Sequence, residues 1–463
     1  MSTMPEPYRI KMVEPITLHP PETREARLRD AHYNLFNLAA EDVFIDLLTD
    51  SGTSAMSHHQ WAALMQGDES YAGSRSFGRL RDAVREIFGF EDFVPTHQGR
   101  AAEHILFGLL VRCGISVLSN AHFDTTRANV EACGGRAIDL PIPEALDPSS
   151  SYPFKGDIDI IELERQLTQI GCGYALVLLT LTSNSVGGHP VSLNNLRLVH
   201  RLCRDRGVPL FIDACRYAEN CYLIQQREPG CQGRTLPSIA AEIFSLCDGF
   251  TFSGKKDGLC NIGGLLAARD PRLMQSIRER LILVEGFPTY GGLAGRDLEA
   301  LAVGLREALD PSYLQHRLGQ VEALGVALAR AGVPVIQPPG GHAVYLDAGK
   351  LLSHLPRHQF PGQALAVALY LEGGIRSCEV GGVMLGRRRG DGKDEWPPLE
   401  LVRLALPRRV YTSSHLDYVA EVAQRIARKA ETLCGLQMVF EPTRLRHFSA
   451  RFQPVRSVTP ALG

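Results

Sequence analysis

Two lysines stand side by side in TFSGKKDG, residues 251–258, between an apolar run and the glycine-rich LCNIGGLLA. A lysine that attacks a carbonyl must lose its proton near neutral pH. A neighbouring cation and partial burial both favour that loss, because each disfavours the charged form. Lys256 is the candidate for this role and Lys255 for the fixed charge beside it. About forty residues earlier, FIDACR ends an apolar run in Asp213, with Arg216 three positions on. A lone acid at a strand end is commonly an N-cap or an ion-pair partner, but it can also keep a ring nitrogen protonated. HQGRAAE, residues 97–103, follows the apolar FVPT and opens a helical pattern. A Gln-Gly-Arg turn at a helix start offers free backbone N–H groups and a guanidinium, which together suit a phosphate. Late in the chain, LVRLALPRRVYT supplies Arg403, whose fork suits a carboxylate bidentately, or an ordinary surface ion pair.

These residues need a scaffold that brings them together. YALVLLTLT (174–182), VPLFIDA (208–214) and GFTFSG (249–254) read as buried strands, and LNNLRLVHRLCRDRG reads as a helix closed by glycine. Strand, helix, strand at this spacing predicts a parallel α/β sheet, whose chemistry lies at the carboxyl ends of its strands. Asn184, Asp213, Ser253 and the lysines all fall there. An acid followed about forty residues later by Ser-x-x-Lys is the order expected of a pyridoxal-phosphate enzyme of the aspartate-aminotransferase fold, fold type I. After residue 310 the texture changes to a smaller α+β domain. There HRLGQVEALGVALARAGVPV predicts a helix leading into a strand, and HQFPGQALAVALYLEGGI a helix with a glycine stop. The expected division is an arm over 1–20, a small-domain part over 21–57, a large cofactor-binding domain over 58–310 and a small C-terminal domain over 311–463. RRRGDGKDEWPP, 387–398, reads as a solvated hairpin tip.

The composition excludes several classes. With 463 residues, 44% hydrophobic and 22% charged, the chain reads as an ordinary soluble protein. A net charge of −2 argues against nucleic acid or an anionic membrane as the main partner. No apolar run approaches the ~18 residues of a membrane helix, and MSTMPEPYRIKMVEPI does not read as a secretory signal. Eleven cysteines without a CxxC pair fit reduced thiols and a cytoplasmic location rather than a zinc site.

Over nearly its whole length the chain resembles the β-eliminating lyases. The resemblance is carried by PYRIKMVEPI, FIDLLTDSGTSAMS, GDESYAGS, FVPTHQGRAAE, TLTSNSVGGHPVS, IDACRYAENCY, SGKKDG, EGFPTYGGLAGRD, PRRVYT and FEPTRLRHFSARF. It implies pyridoxal 5′-phosphate as cofactor, with Lys256 as the Schiff-base lysine and the base at the substrate Cα, and Lys255 beside it. Gln98, Gly99, Arg100 and Ser253 would bind the phosphate, Phe123 would stack on the ring, and Asp213 would hold the pyridine N–H. Asn184 and Arg216 would lie near the ring oxygen. Thr49, Ser51, Asn184 and Arg403 would hold the substrate carboxylate and amine, and Tyr71 would protonate the leaving aromatic carbon. The resemblance also implies a homotetramer with a potassium ion at a subunit interface, near Gly52, Glu69 and Asn261.

Members of this family release indole from tryptophan or phenol from tyrosine. Protonation of indole at C3 puts positive charge on its nitrogen, which a carboxylate acceptor stabilises; phenol instead wants a donor such as arginine. Asp124 in HFDTTR, Val380 in IRSCEVGG, His447 in RLRHFSARF and Phe287 in EGFPTYGG match the indole-releasing pattern. Val380 stands where phenol-releasing members carry arginine, and His447 would relay to or orient Asp124. SGKKDGLCNIGG and GGLAGRD are closer to the phenol-releasing wording, but they lie beside the cofactor rather than the aromatic pocket. The expected reaction is therefore L-tryptophan to indole, pyruvate and ammonium. The alternatives are phenol release from L-tyrosine and action mainly on S-alkyl cysteines.

Overall fold

The computed structural model describes residues 5–169, 173–388 and 394–455. Seven strands form its main sheet: β1 Phe93–Thr96, β2 Ser116–Ser119, β3 Arg136–Asp139, β4 Tyr174–Thr180, β5 Leu210–Asp213, β6 Gly249–Ser253 and β7 Gly264–Ala268. Their order is β1-β7-β6-β5-β4-β2-β3. The neighbours from β6 to β3 pair in parallel, as expected. β7 departs from the expectation, running antiparallel to both β1 and β6. Only ten residues separate the end of β6 from the start of β7, too few for the crossover that a parallel neighbour needs, so the chain turns straight back. Every residue of β5, β6 and β7 is buried, which explains their unbroken apolar wording.

Helices cover the sheet. α1 Gly99–Leu110 follows β1, α2 Asp124–Ala132 follows β2, and α3 Leu193–Arg206 joins β4 to β5. α3 shows how local sequence sets an element. Ser192 accepts the Asn195 N–H at its start, and Gly207 closes it at φ 65°.

A second core gathers residues from both chain ends, Leu28 to Leu47 and Val321 to Phe452. α4 Pro311–Arg330 starts where the small C-terminal domain was expected to begin. It serves both cores: Leu314 and Leu318 pack on the sheet side, Val321 and Leu328 on the other. The three-stranded antiparallel sheet here comprises β8 Ala343–Asp347, β9 Cys378–Val380 and β10 Leu401–Ala405, with β10 central. The strand expected at 333–335 is reduced to one bridge, Val335 to Leu346. α5 Pro361–Gly373 ends at left-handed Gly374, as its wording predicts. Within the predicted hairpin tip, 387–398, Arg387 pairs with Glu395 and Arg388 with Asp394, while 389–393 lie outside the described residues. Residues 5–20 form neither helix nor strand, and leave Ile10, Met12 and Val13 exposed.

Candidate active site

The carboxyl ends of β4, β5 and β6 lie in register, Thr180 opposite Asp213 and Asp213 opposite Thr251. Beyond them opens a cavity of about 210 Å³. Fifteen of the residues named from sequence line it: Thr49, Ser51, Gln98, Gly99, Arg100, Phe123, Asp124, Asn184, Asp213, Arg216, Ser253, Lys255, Lys256, Arg403 and His447.

One wall suits an anion. α1 begins at Gly99, and no side chain caps it, so the positive end of the helix is open to an anion. A Cβ on Gly99 would meet the Ser253 Cβ at 2.8 Å, so glycine lets the helix end lie against the end of β6. Arg100, Lys255 and Lys256 add positive charge. Burial lowers the Lys255 pKa, and repulsion from Lys256 and Arg100 adds to that. The Lys255 carbonyl accepts the Gly52 N–H at 2.7 Å. Gly52 is itself required by φ 78° and by a Cβ position only 2.7 Å from Lys255 Cε.

The small-domain sheet supplies the opposite wall. Register places Arg403 between Cys378 and Tyr345. Arg403 donates to Asn184 Oδ1 at 3.0 Å and to the Leu48 carbonyl at 2.9 Å. Its buried Nε has no partner among the described residues, which leaves a donor for a bound carboxylate. The Tyr345 hydroxyl donates to the same Asn184 oxygen at 3.2 Å.

Asp124 begins α2, and His447 belongs to a short turn near the C-terminus. His447 Nε2 stands 2.8 Å from Asp124 Oδ2, with both side chains 3% exposed. Phe36 packs edge-on against His447 and Phe448, at ring-centroid distances of 5.6 and 5.0 Å. The pair therefore sits in an aromatic wall of the cavity, beside Met384.

Several expected residues lie elsewhere. Val380 shares the face of Cys378 by strand alternation, but stands two pairs further along, opposite Leu401. There it is buried with Ile336, Tyr345 and Leu401, and Met384 packs against this cluster. It backs the cavity wall and does not line it. Tyr71 is 69% exposed and outside the cavity lining. It packs tilted against Phe287 and edge-on against Tyr290, with centroids 5.3 Å away in each case, and Phe287 is also outside the lining. Asn261 donates to the Gly52 carbonyl at 2.9 Å. Glu69 instead accepts the Gly295 N–H at 2.9 Å and pairs with Arg296. Within one chain Gly52 and Asn261 therefore meet, while Glu69 is engaged elsewhere.

Other site residues have little signal in the sequence. Asp50 lies between Thr49 and Ser51, and Arg216 grips it through two bonds of 2.8 and 2.9 Å. Burial raises the Asp50 pKa, but Arg216, His342 and Arg408 outweigh burial and hold the carboxyl well below its ordinary range. Arg408 also binds Glu219 and Asp257. Glu103 lines the cavity four residues after Gly99. Its helical spacing within HQGRAAE is the one cue that places it on the cavity side.

The sequence matches the family model of the β-eliminating lyases over residues 46–422. A tryptophanase of Salinibacter ruber is 55% identical, with 98% of this chain and 96% of that protein covered. A tyrosine phenol-lyase of Symbiobacterium thermophilum is 51% identical, with 97% of this chain and 98% of that protein covered. Among solved structures, the Sphingomonas wittichii serine palmitoyltransferase superposes with a TM-score of 0.58 at 13% identity, over 89% of this chain and 97% of that one. Bna3p of Saccharomyces cerevisiae, a putative kynurenine aminotransferase, gives 0.61 at 15% identity, over 88% of this chain and 95% of that one. These likenesses carry the fold alone.

Proposed function

The chain belongs to the β-eliminating lyases, and from that membership we propose that it cleaves L-tryptophan to indole, pyruvate and ammonium with pyridoxal 5′-phosphate as cofactor. The observation that carries the leaving group is the buried Asp124–His447 pair in the cavity wall. A carboxylate there accepts the indole N–H and stabilises its charge as C3 is protonated.

The cavity suits the cofactor, with its uncapped helix end and an acid at the end of a central strand. When bound, the cofactor supplies a conjugated electron sink next to the substrate Cα. Gln98, Gly99, Arg100 and Ser253 would hold its phosphate, Phe123 would pack on its ring, and Asp213 would keep its nitrogen protonated. Asn184 and Arg216 would bind the ring oxygen, and Asp50 holds Arg216 in place through a hydrogen bond of 2.9 Å. Arg403, with Thr49, Ser51 and Asn184, orients the substrate carboxylate and amine. Lys256 takes the Cα proton.

Tyr71 delivers the proton to indole C3. Its position outside the cavity of its own chain supports the reading that it serves the pocket of a second copy, in the homotetramer that the resemblance implies. The potassium ion that the resemblance implies would follow the same logic: Gly52 and Asn261 of one copy would supply oxygens and Glu69 of another would complete the set. Carbonyl and carboxylate oxygens suit such a hard cation. The free thiols among the described residues support a cytoplasmic location, and no described helix is long and apolar enough to cross a membrane.

A second reading is supported by relatives named tyrosine phenol-lyase at 51% identity. Assay of the purified holoenzyme with L-tryptophan and L-tyrosine separates the two. Indole release in excess of phenol release is expected; the reverse overturns the tryptophan assignment.

A further inference from the structure

Glu103 is a buried acid inside the cavity for which the reaction above has no use. It lies at the start of the second turn of α1, the helix whose N-terminal end faces the phosphate side. Its Oε1 accepts the Thr126 hydroxyl at 2.5 Å, and its Oε2 takes the Asn129 amide at 3.5 Å. Both partners lie on α2, which begins at Asp124. Glu103 therefore ties the helix at the phosphate end to the helix that carries Phe123 and Asp124. Among the described residues no lysine or arginine pairs with it, so nothing in direct contact neutralises its charge.

The charges acting on Glu103 come from three other elements: Asp213 at the end of β5, Asp124 at the start of α2 and Lys256 in the turn after β6. Arg100, from its own helix, lines the same cavity. Two carboxylates close together in one buried site cannot both stay ionised cheaply. Burial and the Asp213 charge raise the Glu103 pKa to about 7, against the opposing Thr126 bond and the Lys256 charge.

We infer that Glu103 is a positioning residue for the cofactor: it clamps α1 to α2 and takes up a proton, leaving Asp213 as the anion that meets the pyridine nitrogen. Above neutrality Glu103 loses that proton, and a second negative charge then bears on the bound cofactor. This inference rests on the cofactor proposed above and not on the leaving group, so a protein that released phenol would leave it standing.

The test uses wild-type, Glu103→Gln and Glu103→Ala proteins reconstituted with pyridoxal 5′-phosphate. Cofactor affinity and the visible spectrum are read across pH without substrate. The wild-type spectrum is expected to show a step near neutrality that Glu103→Gln lacks, while Glu103→Gln binds cofactor within about threefold of wild type. Glu103→Ala, which also loses the clamp, binds about tenfold or more weakly. Persistence of the same step in Glu103→Gln overturns the inference. If Glu103→Gln does not fold, Thr126→Val serves instead: it removes the bond that favours the ionised form, so the step moves to higher pH, and an unmoved step overturns the inference. Wild-type protein that takes up no cofactor overturns the cofactor assignment, and this inference with it.

Discussion

Indole protonated at C3 carries positive charge on a nitrogen that lies against apolar walls, where an unpaired charge is costly. In the proposed reaction Asp124 meets that need; His447, 2.8 Å away and equally buried, keeps the carboxylate from standing alone. Asp124→Ala is therefore expected to lower kcat/KM for tryptophan by about 10²–10³-fold. Turnover of an S-alkyl cysteine, whose leaving group needs no such acceptor, should fall less than about tenfold. Equal losses, measured in parallel kinetic assays, would remove Asp124 from the specificity argument. Glu103 gives a pH prediction at the same scale. Its folded pKa, about 7, lies above the ordinary carboxyl value of 4.5, so its contribution to stability is complete below about pH 4.5 and is lost as pH rises towards 7. Urea unfolding of the cofactor-free protein should show wild-type stability falling relative to Glu103→Gln over that interval, by roughly 3 kcal/mol at most, with a flat difference above it.

A helix end and a strand end meet where Gly99 abuts Ser253, and this contact fixes the phosphate side of the site. Because a Cβ on Gly99 would lie 2.8 Å from the Ser253 Cβ, Gly99→Ala forces the two elements apart. The expected result is a cofactor dissociation constant raised about tenfold or more, equivalent to ~1.4 kcal/mol, with an unchanged far-ultraviolet circular dichroism spectrum. These elements were legible in sequence because short apolar runs ending in Asp213 and Ser253 have few readings other than buried strands. The antiparallel course of β7 was not, since an apolar strand buried on both faces carries no mark of its direction. Val380 shows another limit. Sequence assigns it a position in the family pattern, but only the register of Cys378 with Arg403 shows that it stands behind the wall. Glu103 and Asp50 were passed over because single acids beside stronger motifs have no spacing of their own.

Across the whole molecule, Arg408 gathers Asp50, Glu219 and Asp257 into one buried network that links the N-terminal segment, the main sheet and the small domain. Most of the expected site residues line the cavity of one chain, yet Tyr71, the acid proposed for the leaving carbon, is not among them. Tyr71 lies outside, 69% exposed, in an aromatic group with Phe287 and Tyr290. Tyr71 is exposed while Phe287 and Tyr290 are half-buried, and in the proposed assembly this aromatic group meets a second copy. If two copies exchange this surface about a two-fold axis, each lends its tyrosine to the other. Tyr71→Phe and Lys256→Ala proteins, each nearly inactive alone, can then be unfolded together and refolded in equal amounts. Half of the resulting pairs are mixed, and each mixed pair has one pocket holding both native residues, so about a quarter of wild-type activity should return. If Tyr71 served the pocket of its own chain, every pocket in the mixture would lack one residue and no activity would return. A mixture that stays inactive, with mixed assembly verified by differential tagging, would exclude Tyr71 as an acid lent between copies.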